Sequence, residues 1–350
     1  MFNKTKILKN ISWSWALFIG LIILSWSIIV LFSGENPLNV FYYLLEGSVG
    51  NYNAFFSTLD KMFVLILTAL AVSIPGSAGM WNIGGEGQFL LGGFTAAWLA
   101  IYFNTHLASL NIIIVLSFSA AAGALWAYWP ALLKVRLKVD EVVTTLMGNY
   151  VIVFFTSYMV NFPYRASDST WPRTEYIPDN FIIPPVSNLP FSYTFFISIA
   201  ILIFIEIIRK KSILGYEYSM VGKNELFAKQ GGIDVGKVKV RSMMIGGALA
   251  GLAGGLMVLG LTYKFMDGFS PGYGYTGLLI ALITGNLPIF IFGIAFIFAA
   301  LQVGSINMQL FTNIPAEISK VLQSVLVFFI TAQRTINIKI KKKERADNYE

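Results

Sequence analysis

The sequence contains several long apolar runs without a single charged side chain. Trp13–Phe32 and Met62–Met80 are two of them, and a helix of about 20 such residues crosses the roughly 30 Å hydrocarbon core of a bilayer. The runs do not alternate between polar and apolar positions, as the strands of an outer-membrane barrel do. The sequence therefore predicts an all-α polytopic membrane protein.

The number and direction of the crossings follow from these runs and from the basic residues between them. Charged residues make up only 12% of the chain, about half the share in a soluble domain. Lys and Arg cluster at 134–138, 209–241 and 334–345, and such clusters mark cytoplasmic segments. About ten transmembrane helices with both termini cytoplasmic satisfy this rule. Their predicted bounds are 13–33, 60–81, 87–104, 111–133, 142–161, 192–209, 241–263, 275–287, 288–307 and 318–336.

The remaining segments give the predicted domain organisation. We expect a single transmembrane domain over residues 1–350, with a cytoplasmic loop at 210–240 and a basic cytoplasmic tail at 337–350. The proline-rich segment 162–191, which has mixed charges, is predicted to lie outside. The segment 275–307 fits either two short spans or one span and a half-helix.

Several kinds of chemistry are disfavoured by what the sequence contains. There is no cysteine and His106 is the only histidine, so no His/Cys metal site can be assembled. Gly231–Lys237 matches GxxxxGK, but Val238 replaces the Ser/Thr that would hold magnesium, and Gly272–Gly277 matches GxGxxG without a βαβ unit around it. We therefore expect no catalytic residue, no metal and no cofactor. The net charge of +7 reflects membrane orientation, and no nucleic-acid partner is expected.

The segment Trp81–Gln88, WNIGGEGQ, places polar groups between two apolar runs. A charged side chain near the middle of a membrane costs on the order of 2.5–3.5 kcal/mol and usually faces a cavity or a partner. Glu86 could therefore lie on a substrate pathway, with Asn82 and Gln88. Span counting favours a second interpretation, in which Glu86 lies near the cytoplasmic surface and caps a helix or braces a turn. A gating role or contact with a partner protein is a third.

Two further patterns concern helix packing and a docking segment. Gly247, Gly251 and Gly255 are spaced four apart, which allows close helix packing, more readily within one subunit than between two. In the cytoplasmic loop, a short helical pattern bounded by glycines runs from Gly215 to Ile233 and mixes apolar residues with charges. It fits either a solvated loop or a segment that lies in a partner's groove.

Four segments carry a resemblance to a known family. Asn82–Gln88 is similar to the motif NIGxEGQ, and Gly304–Gln309 to GSxxMQ. Asp140–Tyr150 is similar to NEVxxTxMxNY, with Asp140 where Asn is usual and Gly148 where a larger apolar residue is common. The fourth is the docking segment with the glycine-rich stretch after it. In these segments the chain resembles the membrane permeases of bacterial ABC importers for nucleosides and simple sugars, which are related to ribose and branched-chain amino-acid permeases.

The resemblance implies partners and a location. The implied partners are a cytoplasmic ATP-binding subunit, which hydrolyses ATP on a separate chain, a second permease subunit, which is often a different chain, and an extracytoplasmic substrate-binding lipoprotein. The implied location is the lipid bilayer of the bacterial cytoplasmic membrane. The segment Val221–Ile233 would couple ATP hydrolysis to the membrane helices. Its coupling residues would be Val221, Gly222, Lys223, Asn224, Glu225, Phe227, Ala228, Gly231 and Ile233.

The expected activity is import by alternating access, with nucleosides as the favoured substrate. A nucleoside presents a flat base and a hydroxylated sugar, which aromatic, amide and hydroxyl side chains suit. The substrate-pathway candidates are Asn82, Glu86, Gln88, Phe89, Asn149, Tyr150, Asn286 and Gln302. A permease for a simple sugar, riboflavin or a branched-chain amino acid is the alternative within the family. An ion-coupled secondary transporter or a structural membrane protein is the alternative outside it.

Overall fold

The computed structural model describes residues 20–21, 23–103, 108–186, 189–318, 320–325 and 327–328. Among these residues extended pairing is limited to two isolated β-bridges, so the all-α prediction is confirmed. Numbered in chain order, the helices are α1 (Ile23–Phe32), α2 (Pro37–Leu45), α3 (Tyr52–Ser77), α4 (Gly85–Tyr102), α5 (Ala108–Leu137), α6 (Glu141–Asn161), α7 (Thr194–Lys211), α8 (Ile213–Lys223), α9 (Glu225–Gln230), α10 (Val235–Met257), α11 (Tyr273–Thr284) and α12 (Pro288–Phe311).

Five of the described helices are long and apolar enough to cross a membrane: α3, α5, α6, α10 with the π-helical turn that follows it, and α12. A sixth crossing results if α1 and α2 form one span, and these two helices meet at 112°. Ten crossings by length and composition are therefore not reached. The helices α4, α7 and α11 match predicted spans, but they are shorter or less apolar.

Some sequence predictions fall outside the described residues. These are the start of the first predicted span, the end of the last one, His106 and the basic tail at 337–350. The helix α2 was not predicted, although its start is encoded locally. Asn36 caps it by accepting a hydrogen bond of 2.9 Å from the backbone N–H of Leu38, and Pro37 occupies the first turn, where proline is tolerated.

One compact unit comprises residues 59–296. At its centre α10 packs against both α4 and α5. A Cβ on Gly251 would overlap the backbone of α5 at Ser119, and a Cβ on Gly254 would overlap the carbonyl of Phe89 on α4. The three helices can approach this closely because the α10 glycines present no side chain to their neighbours.

The other compact unit comprises residues 1–58 and 297–350. Its apolar cluster joins α1, α2, α12 and the helical residues after 318, with Trp26, Val30, Leu44 and Met308 among its buried members. A Cβ on Gly304 of α12 would overlap the carbonyl of Leu44, and Asn307 donates a 2.9 Å hydrogen bond to the carbonyl of Tyr43. The segment Gly304–Gln309, which resembles a family motif, thus fastens α12 to α2.

Candidate functional site

The chain turns back into the helix bundle after α3 instead of leaving it. Gly79 has φ +73°, a left-handed conformation that suits glycine. From there the chain runs back along α3, and the side-chain amide of Asn82 donates a 3.2 Å hydrogen bond to the carbonyl of Ala71. Ala71 precedes Ser77 by six residues, or about 9 Å at 1.5 Å per residue. The helix α4 therefore begins inside the helix bundle, beside α3.

Glu86 lies at the N-terminus of α11. Its carboxylate accepts a 2.7 Å hydrogen bond from the backbone N–H of Gly274, and the Ser270 hydroxyl and two further backbone N–H groups also face it. The residue is buried. A helix N-terminus has unpaired N–H groups and a partial positive charge, so it stabilises an adjacent carboxylate. Glu86 therefore caps a helix, and the capped helix is α11.

Asn82 and Gln88 form a reciprocal amide pair. Asn82 donates to the Gln88 Oε1 at 2.9 Å, and Gln88 donates to the Asn82 Oδ1 at 3.0 Å. The Asn82 Oδ1 also accepts a bond of 3.2 Å from the backbone N–H of Gly84. Both side chains are buried, where each polar atom must find a partner. The pair closes the NIGGEGQ segment into a compact loop.

Asn149 connects this loop to α6. Its Oδ1 accepts a 2.8 Å hydrogen bond from the backbone N–H of Gly87, and its Nδ2 donates to the carbonyl of Ile83 at 2.9 Å. The same Nδ2 lies 3.3 Å from the hydroxyl of Tyr275 on α11. One buried amide therefore joins α4, α6 and α11.

The other pathway candidates have different surroundings. Phe89 is fully buried, with ring centroids 5.6 Å from Phe269 and 5.7 Å from Tyr273. Tyr150 is 51% exposed on the outer face of α6. Asn286 follows α11 in a left-handed conformation and lines a cavity described below. Gln302 belongs to the unit formed by residues 1–58 and 297–350. The structure thus brings together Asn82, Glu86, Gln88, Phe89 and Asn149, and not the remaining three.

Sequence reasoning missed the partners of Glu86. The segment Gly272–Gly277 matches a nucleotide-binding pattern in the sequence, yet in the structure it forms the N-cap and first turn of α11. Gly272 has φ +102°, and a Cβ on Gly274 would overlap the backbone of Glu86. The glycines are therefore needed for the close approach of two helix N-termini, and closely spaced glycines beside an apolar helix were the available signal.

Two departures from the family motif are accommodated locally. Asp140 caps α6 by accepting a 2.8 Å hydrogen bond from the backbone N–H of Val142, a task that Asp and Asn perform equally well. A Cβ on Gly148 would lie 3.2 Å from the indole nitrogen of Trp126 and 3.3 Å from the Trp129 ring. The two tryptophans fill the space that a larger residue at 148 would occupy.

The predicted packing glycines of α10 face α5 within the same chain. A Cβ on Gly247 would overlap the carbonyl of Gly123, and one on Gly255 would lie 2.8 Å from the Ser119 hydroxyl. Gly251 meets the Ser119 backbone in the same way. All three therefore serve a helix contact inside the subunit in this structure.

The predicted cytoplasmic docking segment consists of α8 and α9. Val221 of α8 and Ala228 of α9 are buried on the inner side of this segment. A Cβ on Gly222 would overlap the carbonyl of Ser77 at the end of α3, so α8 lies directly against that helix. Asn224 caps α9 by accepting a 3.1 Å hydrogen bond from the backbone N–H of Phe227. The backbone N–H of Ile233 donates to the Ala228 carbonyl at 3.0 Å and closes the segment after Gly231 and Gly232.

Ion pairs fasten α8 and α9 to α10. Glu225 pairs with Lys239 and Glu217 pairs with Arg241, while the exposed Lys223 makes no ion pair within the described parts of the chain. Asp234 caps α10 by accepting a hydrogen bond from the backbone N–H of Lys237. This hydrogen bond lowers the pKa of the Asp234 carboxyl below its ordinary value. These contacts hold the segment in one orientation.

The outward face of α9 is apolar. Leu226 is 73% exposed and Phe227 is 58% exposed, side by side on a six-residue helix. Exposed large apolar side chains rimmed by polar residues mark protein interaction sites. The buried faces of α8 and α9 are thus fastened to the bundle, while the exposed face of α9 leaves two large apolar side chains uncovered.

Comparison with known proteins shows that the chain is similar to permease components of transport systems. Residues 54–331 match the family described as "Branched-chain amino acid transport system / permease component". A nucleoside ABC transporter permease of Lactococcus lactis is 32% identical over 328 residues, which cover 90% of this chain and 89% of the relative. A guanosine ABC transporter permease of Bacillus subtilis is 30% identical over 329 residues, covering 91% and 93%. A glucose ABC transporter permease of Haloferax volcanii is 30% identical over 284 residues, covering 78% and 74%. No solved structure matches the chain.

Proposed function

Since the chain belongs to the permease component family of the branched-chain amino acid transport systems, we propose that it is the membrane permease of an ATP-driven ABC importer for nucleosides. The choice of nucleosides as the substrate rests on the similarity to nucleoside and guanosine permeases over nine-tenths of the chain. The substrate would cross the cytoplasmic membrane of a bacterium by alternating access, and ATP would be hydrolysed on a separate subunit.

The proposed coupling element is the segment Val221–Ile233. Its support is mechanical: α9 exposes Leu226 and Phe227, while Gly222 sits on the backbone of Ser77. A push on α9 by a cytoplasmic ATPase would reach α8 directly and α3 through this contact. Because α3 carries the carbonyl that holds Asn82, the displacement would continue to the loop that contains Glu86.

We propose that the bundle inserts ten segments into the membrane, with both termini cytoplasmic, and that residues 1–350 act as one permease domain. The shorter helices α4, α7 and α11 would join α3, α5, α6, α10 and α12 to give eight segments. The first predicted span at 13–33, which includes α1, and the last at 318–336 would complete the ten. The basic residues at the end of α7 support the cytoplasmic placement of the loop after it. The proposed partners are an ATP-binding subunit, a second permease subunit and an extracytoplasmic lipoprotein.

The residues that contact the substrate are also a proposal. Hydrogen bonds connect the side chains of four candidates to each other's segments or to α11. We therefore propose that these four residues shape the wall of the substrate pathway: Asn82, Glu86, Gln88 and Asn149. Tyr150 presents its ring at the surface of α6, where a second permease subunit would complete a pathway. Phe89, Asn286 and Gln302 stay secondary candidates.

A simple-sugar permease is the second candidate, because the glucose permease of Haloferax volcanii is about as similar as the guanosine permease. Uptake of labelled nucleosides by cells with and without this gene separates the two, with unlabelled nucleosides, glucose, ribose, riboflavin and leucine as competitors. Loss of uptake on deletion, restored by the wild-type gene and competed only by nucleosides, supports the proposal. Unchanged nucleoside uptake in a strain without other nucleoside routes would overturn it.

A further inference from the structure

A cavity of about 270 Å³ lies beside α7, away from the polar loop around Glu86. It is lined by α3, α7 and α8 together with Ile245, Asn286 and Pro288, and its lining is almost entirely carbon. Phe204 forms part of the lining and is 60% exposed. The cavity therefore reaches the outer surface of α7, where the neighbouring Ile203 and Ile207 are also exposed.

The cavity lies at the predicted cytoplasmic end of the bundle. Arg209 lines it and belongs to the last turn of α7, which also carries Lys210 and Lys211. Ser77, the last residue of α3, lines it as well. An apolar cavity that starts beside three basic residues and extends into the bundle spans the region where lipid headgroups give way to acyl chains.

The net positive charge at the end of the cavity beside Arg209 favours an anionic ligand. Glu206 accepts bonds of 2.8 and 2.7 Å from Arg209 and pairs with Lys210 at 2.9 Å. One carboxylate against three cations leaves two positive charges in this turn. Within the described residues Lys211 makes no ion pair, and it is exposed. Basic pockets between membrane helices on the cytoplasmic side bind anionic lipid headgroups.

The cavity lining includes the hydroxyl group of Ser73. Ser73 is almost completely buried, and no hydrogen bond of its Oγ is found among the described residues. It lies one helical turn further into the bundle than Ser77. A buried hydroxyl without an acceptor is unfavourable, and a glycerol ester carbonyl just below a headgroup would accept a hydrogen bond from it.

We propose that this cavity binds one anionic phospholipid of the cytoplasmic leaflet. One acyl chain would enter between α3, α7 and α8, with the phosphate near Lys210 and Lys211. Because Leu214, Gly215 and Tyr218 of α8 line the cavity, the lipid would also support the helix that adjoins the coupling segment. This site does not depend on which substrate is imported.

The test measures lipid retained by the purified chain after reconstitution in nanodiscs of phosphatidylglycerol or phosphatidylcholine and transfer to detergent, by native mass spectrometry. We expect one tightly held phosphatidylglycerol per chain and about a fivefold preference for it, which corresponds to roughly 1 kcal/mol for one basic residue near the surface. Ile208→Trp fills the cavity and should reduce retention about tenfold, a loss of the size of 1.4 kcal/mol. Ile203→Trp, on the exposed face of the same helix, should retain the lipid.

Equal retention of both lipids, or equal loss in both variants, would overturn the proposal, because either result describes the general lipid annulus. Photocrosslinking of the wild-type chain covers the case in which Ile208→Trp does not fold. A phosphatidylglycerol with a diazirine near the end of one acyl chain should label α3, α7 and α8 at the cavity. Labelling restricted to the exposed face of α6 would contradict the site.

Discussion

The backbone N–H of Gly274 donates a 2.7 Å hydrogen bond to the carboxylate of Glu86, 188 residues earlier in the chain. This contact joins the N-termini of α4 and α11, two helices that both start inside the bundle. It requires Gly274 to lack a side chain, because a Cβ there would overlap the Glu86 backbone. The acidic residue of the NIGGEGQ segment is therefore an internal helix cap.

The first prediction concerns Glu86→Gln. The amide keeps one acceptor but turns an NH₂ group toward N–H donors and removes the negative charge from the α11 N-terminus. Hydrogen bonds to charged groups contribute about 1.5–3 kcal/mol, so we expect the variant to unfold at a lower temperature when followed by tryptophan fluorescence in detergent. Glu175→Gln, an exposed carboxylate in the 162–191 segment, should have no effect.

A transport assay distinguishes a structural role of Glu86 from a role in substrate contact. With protein levels matched, Glu86→Gln should transport within a few-fold of the wild type, because the cap acts on stability. Near-complete loss of transport in a variant of normal thermal stability would instead mean that Glu86 contacts the substrate directly and does not only shape the pathway wall.

The second prediction concerns Asn149→Leu. The change removes the acceptor for Gly87 and the donor for Ile83, and each buried backbone group left without a partner costs about 1–3 kcal/mol. We expect a larger loss of thermal stability than for any exposed substitution on α6. Tyr150→Phe, one position further along, is the control and should leave the unfolding temperature unchanged. If Asn149→Leu were as stable as the wild type, the clamp would not hold the loop.

These two residues also show how far the sequence could lead. Apolar runs predicted helices in nearly the right places, since burial of a helix in a membrane needs only length and composition. The position of Glu86 depended on Ala71, Gly274 and Asn149, which lie far apart in the chain. No local pattern encodes such pairings, so the sequence left the partners of Glu86 open.

The third prediction concerns Gly222→Ala. A Cβ at this position would overlap the Ser77 carbonyl, so α8 must move away from α3. We expect transport to fall sharply in the reconstituted importer while the membrane helices stay folded. Gly293→Ala on α12 is the matched control, because it lies outside the coupling segment and nothing lies within 4 Å of where its Cβ would be. Equal transport by both variants would show that the α3–α8 contact does not carry coupling.

The fourth prediction is a pH dependence that arises from Asp234. Its folded-state pKa is lowered by the backbone N–H of Lys237, so its contribution to stability is present above the unfolded value and is lost as pH falls through the lower folded value. Asp234→Ala should therefore lower the unfolding temperature by the same amount at pH 6 and pH 8 (about the range in which a carboxyl with an ordinary pKa stays ionised). The difference should shrink only in strong acid.

Asp234→Asn provides the control for this prediction. Asn can also cap a helix N-terminus, so the variant should stay close to the wild type near neutral pH and should show no titration of its own. A stability difference between Asp234→Ala and the wild type that changes between pH 6 and pH 8 would assign the effect to another group.

The last prediction tests the docking face of α9. Replacing both Leu226 and Phe227 by Ser removes two exposed apolar side chains without touching the buried Ala228 or the cap at Asn224. Because exposed residues contribute little to folding, the double variant should keep the thermal stability of the wild type. It should fail to co-purify with the proposed ATP-binding subunit, and ATP-dependent uptake should be lost. The same pair of Ser substitutions at Leu310 and Phe311, which are equally exposed at the end of α12, should leave the complex intact. Retention of the ATPase by the α9 variant would place the docking surface elsewhere on the cytoplasmic side.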